Sequence, residues 1–166
     1  MQSKRAKGNA FQDWIEAWIL KTFPGSSVHN LKPVAYAYEY FDKRKNKMEK
    51  AWRSQDNDLF NCIDLAVIVP DKLPIFIQAT ADTHVQRKLD DMMTVLWPLN
   101  HCTVQLWQKK DPRRVVVQRL CQNTQGKASQ EALSGQTQPD PTLTLRKIGE
   151  IISRQWVAND FGEIFE

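Results

Sequence analysis

The sequence has few cysteines, no long apolar run and no strong charge of either sign, and each absence closes off a class of protein. The three cysteines, Cys62, Cys102 and Cys121, are an odd number without CxxC spacing. They supply no disulfide frame, and with His29 and His101 out of ligand spacing they supply no zinc site. They read as small buried hydrophobes. No apolar run approaches the roughly 18 residues that a membrane span requires. The opening "MQSKRAKGNAF" carries charge with no apolar signal core behind it, so a cytoplasmic protein is expected. There is no internal repeat. The net charge of +4 permits an anionic partner such as nucleic acid without requiring one.

What is present is an ordinary globular composition, 42% hydrophobic and 25% charged over 166 residues. That length builds one domain with a proper core. Phe11, Trp14, Ile15, Trp18 and Ile19 recur at spacings of three and four, the apolar stripe of an amphipathic helix from about Asn9 to Lys21. "FPGSS" stops it. "VAYAYEY" reads as a strand that runs into a basic stretch of Lys43, Arg44, Lys45, Lys47, Lys50 and Arg53. The stretch is either a solvated hairpin or loop, or a basic arm in which Trp52 stacks on a base while the cations meet phosphates.

"IDLAVIV" and "IFIQAT" are β-branched apolar runs joined by "PDKLP", a hairpin. Asp82 or Thr83 caps a following helix carrying Val85, Leu89, Met92, Met93 and Leu96 as far as Pro98. "CTVQLWQ" and "RRVVVQRL" are two further strands. From 121 to 141 the composition turns to Gln, Ser, Thr, Gly and Pro, the signature of a flexible loop or linker. Over 142–166, Leu145, Ile148, Ile152 and Trp156 form a helical stripe, followed by the acidic "NDFGEIFE", which packs on the core or on another subunit. The fold class is therefore α/β, with a central mixed sheet flanked by helices and a C-terminal helical tail.

Polar groups inside apolar strands are the informative feature, because burying them unpaired is costly. Asp64 lies in the first run, and Gln78 and Thr80 lie in the second. With the turn near Lys72, Asp64 falls about opposite Thr80 and diagonal to Gln78, all on one face. Lys88 and, one turn earlier, His84 flank the sheet edge on the next helix, while Gln12 sits at the margin of the first helix's stripe. The unspecialised alternative is that Gln78 and Thr80 satisfy each other and Asp64 is a hydrogen-bonded strand-end group.

In this order of elements, with "KGNAFQ" opening a helix, an Asp-bearing strand, a hairpin and a strand with an X-any-X polar pair, residues 4 to 120 resemble the PD-(D/E)XK nuclease superfamily. The likeness is greatest to the Holliday-junction-resolvase type and to phage or mobile-element nucleases. The resemblance implies a restriction-endonuclease-like core over 1–120 and a Mg²⁺- or Mn²⁺-dependent endonuclease acting on duplex or branched DNA, with a homodimer presenting two sites. It matches Asp64 to the family's metal-binding aspartate and Gln78 to its second acid. Thr80 falls at the position of the motif lysine, and Gln12 at that of a helix-borne acid. The carbonyl of Ala79 would join Asp64 and Gln78 at the metal, and Lys88 would replace the displaced lysine, with His84 accessory. Lys4, Arg5, Lys7, Lys43, Arg44, Lys45, Lys47, Trp52 and Arg53 would meet DNA. Only Asp64 keeps the family's charge, so a catalytically degenerate DNA-binding or assembly module on the same fold is the competing expectation.

Overall fold

A computed structural model describes residues 4–55, 57–81, 85–122, 143–159 and 164, with the side chains of 4–7, 54 and 55 outside the description. The expected linker at 121–141 falls almost wholly on residues outside it.

The first helix, α1, runs over Lys4–Thr22, starting earlier than the sequence suggests, so that Asn9 lies within it rather than capping it. A turn with Gly25 at φ 85° leads out of it, a conformation that glycine adopts without steric cost. The strands β1 (Ser27–Asn30), β4 (Leu65–Ile68), β5 (Ile75–Thr80), β6 (Thr103–Asp111), β7 (Arg114–Gln122), β8 (Leu143–Ile152) and β9 (Gln155–Ala158) form one sheet in the order β1-β4-β5-β6-β7-β8-β9. A hairpin of β2 (Val34–Asp42) and β3 (Lys47–Gln55) forms a separate two-stranded sheet.

Among the described strands, only β5 and β6 run parallel. A parallel pair needs a crossover, and the segment holding the second helix, α2 (Val85–Met93), supplies it. That helix ends before Leu96, which is almost fully exposed rather than part of its apolar stripe.

Alternation along the strands sends side chains to two cores. Leu65, Val67, Ile75, Ile77, Trp107, Val115 and Val117 pack with Phe11, Ile15, Trp18 and Ile19 of α1. Val104, Leu106 and Leu120 pack on the other face with Met92 of α2 and with Trp97. Each fully buried aliphatic side chain contributes ~1.5–3 kcal/mol relative to exposure, so both layers stabilise the sheet.

The C-terminal segment corrects the expectation of a helix: it forms β8 and β9, on the edge of the same sheet. A register shift pairs Val117 with Gly149 but Gln118 with Lys147, leaving Ile148 as the extra residue of a β-bulge. A bulge reverses which face the following residues occupy. Leu145 accordingly packs toward the α2 side, whereas Ile148 and Ile151 enter the α1 core. The step of three from Leu145 to Ile148 across that reversal imitates the period of a helix, whereas Ile152, expected on the same stripe, is 42% exposed. Of the acidic end, Ile164 is buried in the α1 core and its carbonyl accepts from Gln105 Nε2 at 2.6 Å.

Among the described residues, no helix is long and apolar enough to cross a membrane.

Candidate active site

The β4–β5 hairpin turns one residue earlier than expected. Asp71 takes φ 61° in the turn, and Leu65 pairs with Ile77, Ala66 with Phe76 and Val67 with Ile75. Continued by one step, this register sets Asp64 level with Gln78 rather than Thr80. Shifting the turn centre by one residue moves the register by two, so the polar side chains keep their face.

Asp64 stands immediately before β4 and is almost wholly buried. Gln12, reaching from α1 on the opposite face of the sheet, donates from Nε2 to Asp64 Oδ1 at 2.8 Å. Gln78 Nε2 donates to Oδ2, and also to the Ala79 carbonyl at 3.0 Å. The Ala79 backbone N–H donates to the same Oδ2 at 2.8 Å. Four of the expected residues, Gln12, Asp64, Gln78 and Ala79, thus meet at one point. Thr80 is buried two residues further along β5.

The amides hold a further feature. With both nitrogens turned to the carboxylate, the carbonyl oxygens Gln12 Oε1 and Gln78 Oε1 are buried without a hydrogen-bond partner. A buried acceptor left unpaired costs on the order of 1–3 kcal/mol. Two such acceptors flanking one carboxylate are an arrangement that a simple hydrogen-bonded strand end does not need.

Burial pushes the Asp64 carboxyl up to about 6, against the stabilising Ala79 N–H and the charge of Lys88. Lys88, half-buried on α2, is therefore within electrostatic reach of the carboxylate, as its expected place on the helix requires. Asp58, which sequence reading passed over, also acts on Asp64, its charge opposing ionisation. Its signal in the sequence is an acid at the far end of the arm, six residues before Asp64, separated from it by the tight turn in which Phe60 and Asn61 take φ 55° and 61°. The buried Cys62 thiol nearby is pushed up to about 11, first by burial, and stays protonated.

Other expected residues are placed less favourably. His84 lies outside the described residues, as do the side chains of Lys4, Arg5 and Lys7 at the start of α1. On the β2–β3 hairpin most of the basic run is already engaged: Lys45 bridges Glu49 at 2.9 Å, Lys47 bridges Glu49 at 3.3 Å and Lys50 bridges Glu39 at 3.5 Å. Arg53 lies 4.8 Å from the ring centre of Tyr38. Lys43 and Arg44 sit exposed at the tip, and Trp52 is 74% exposed on the hairpin's flank. Sequence reading also missed Lys109, Arg113 and Arg154, which the two turns at this end of the sheet bring together beside α1. Arg154 was concealed by the helical reading of its segment.

Among the described residues, no group of three or more His, Cys, Asp and Glu side chains converges as in a multi-carboxylate metal cage. The chain matches no family model, no curated protein and no solved structure.

Proposed function

We propose that the protein is a divalent-metal-dependent DNA endonuclease of the PD-(D/E)XK type, with a restriction-endonuclease-like core. The observation that carries this reading is the pair of orphaned amide oxygens beside the buried Asp64 carboxylate. Hard cations such as Mg²⁺ prefer oxygen ligands. A half-turn of either amide exchanges its nitrogen for its oxygen, so Gln12 and Gln78 hold donor groups that suit a cation as well as they now suit an anion. Asp64, Gln78 and the Ala79 carbonyl, with Gln12, are the residues that would hold the metal.

Bound there, the metal supplies Lewis-acid polarisation of a phosphate oxygen. The chain's own residues do the rest. Asp64 provides the negative charge, and its burial keeps bulk water from competing. Lys88 places a cation beside the carboxylate, where it stabilises charge developing on a phosphate. Lys43 and Arg44 at the arm's tip meet the DNA backbone and position it without reading sequence. Selection of branched or junction DNA, and a dimer with paired sites, belong to this proposal through the resolvase resemblance.

A second reading has its own observation: Gln78 and Thr80 are neutral, and the Asp64 carboxylate is fully engaged by three N–H donors without any metal. That describes a degenerate site kept for DNA binding or assembly. Cleavage of labelled duplex, single-stranded and four-way-junction DNA with Mg²⁺ or Mn²⁺ separates the two. The nuclease reading expects cutting by the native protein, its loss in Asp64→Ala, and a fall of about 10² or more in Lys88→Ala with DNA binding retained. Salt-sensitive binding with no cutting of any substrate would establish the degenerate reading instead.

A further inference from the structure

A groove of about 460 Å³ opens beside α1, between the β6–β7 turn and the β8–β9 turn. Its volume is that of a small-ligand site. Half-buried Trp14 forms its aromatic wall, stacked at 6.0 Å and 20° on the buried Phe11. Lys109, Arg113 and Arg154 line the rest. Lys109 Nζ lies 5.8 Å from the Phe11 ring centre. Among the described residues, no carboxylate forms a salt bridge with any of these three cations.

The cationic side is held in place from behind. Ser153 N–H donates to the Arg113 carbonyl at 2.8 Å, and Trp18 Nε1 donates to the Arg154 carbonyl at 3.0 Å. Both turn residues, Ser153 at φ 51° and Arg154 at φ 73°, are left-handed. A two-residue hairpin of this kind favours Asn-Gly, so the sequence keeps an arginine at a position whose backbone disfavours it.

The groove and the Asp64 cluster share one end of the sheet. Thr80 is level with Gln108, and Lys109 is the next residue of β6. Phe11, facing the groove, adjoins Gln12, which binds Asp64.

We infer that this groove is a binding site for single-stranded DNA, one unpaired base lying against Trp14 and its flanking phosphates meeting Arg113, Arg154 and Lys109. The three cations outnumber the one acid of their turns, Asp111, whose Oδ1 accepts from the Arg113 backbone N–H at 2.8 Å, so they call for an anion, and an aromatic surface beside them calls for a flat ring rather than a bare phosphate. Bases in a duplex are stacked within it and cannot reach such a wall. The site deepens the proposed function by adding a strand-holding subsite beside the cluster. It rests on that reading only for the choice of DNA as ligand.

The test is binding of a labelled oligothymidylate to the full chain without metal, across a salt series, with Arg113→Gln, Arg154→Gly and Trp14→Leu. Each arginine variant is expected to reduce the salt slope by about 0.7, the contribution of one phosphate contact on a single strand. Trp14→Leu is expected to weaken binding at least about fivefold. Arg154→Gly suits its backbone, so its melting temperature should hold or rise while binding falls, which excludes misfolding as the cause. Unchanged binding in both arginine variants overturns the inference. So does inorganic polyphosphate binding as tightly as the oligonucleotide while Trp14→Leu has no effect. Arginine-dependent binding without DNA cutting would leave the groove standing and the nuclease reading refuted, and cutting with arginine-independent binding would do the reverse.

Discussion

Asp64 is the residue on which the account turns. In the fold it keeps its proton up to about pH 6, whereas its ordinary value is 3.8. The folded state therefore binds more protons between those values, so stability falls as pH rises through that window. Above it the charged carboxylate costs roughly 3 kcal/mol. Asp64→Asn, with Gln12 and Gln78 free to turn their carbonyls toward the new amide, should gain roughly 1–3 kcal/mol above pH 6 in denaturant melts. The gain should vanish below the ordinary carboxylate range. A site residue that lowers stability is what retained function looks like. Asp64, Gln78 and Gln12 were legible in the sequence because period-two and helical spacing fixed their faces. Asp58 was not, because its approach depends on the left-handed Phe60–Asn61 turn, which no local pattern announces.

Among the elements, the C-terminal hairpin is the most instructive. Its bulge at Ile148 turns alternation into a step of three from Leu145, so period alone predicts a helix there. Gly149 makes the true packing possible. A Cβ there would stand 2.4 Å from the Trp156 ring and 2.6 Å from the Val157 carbonyl oxygen. Gly149→Ala should therefore destabilise the protein by about 1–3 kcal/mol, the usual cost of overpacking, measurable as a lowered urea midpoint at unchanged slope. The neighbouring strands are cross-linked by Arg114, whose Nε and Nη2 donate to the two oxygens of Glu150 at 2.8 and 2.7 Å. That pair holds the Glu150 carboxyl down at about 2. Strands β4 to β7 form where the sequence pattern predicts them, since β-branched runs between turn residues have few other folds open to them.

At the scale of the whole molecule, the main sheet carries the site and a separate, largely exposed hairpin carries the basic run. The β2–β3 hairpin pairs with no strand of the main sheet, and its tip cations Lys43 and Arg44 are exposed. Replacing both with glutamine should leave the melting temperature unchanged. It should lower the dependence of log affinity for duplex DNA on log salt by about one unit per residue. The sequence discloses the basic run and Glu49 within it, but not Glu39, which faces Lys50 only through the strand register. A linear count of cations therefore overstates what the arm offers to phosphate.

The most direct test is Mn²⁺ binding followed by electron paramagnetic resonance on the native protein, Asp64→Asn and Gln78→Leu. The account predicts bound Mn²⁺ in the native protein, lost in Asp64→Asn and weakened in Gln78→Leu, with all three folded. Equal Mn²⁺ binding by native protein and Asp64→Asn, or none by the native protein, would contradict it.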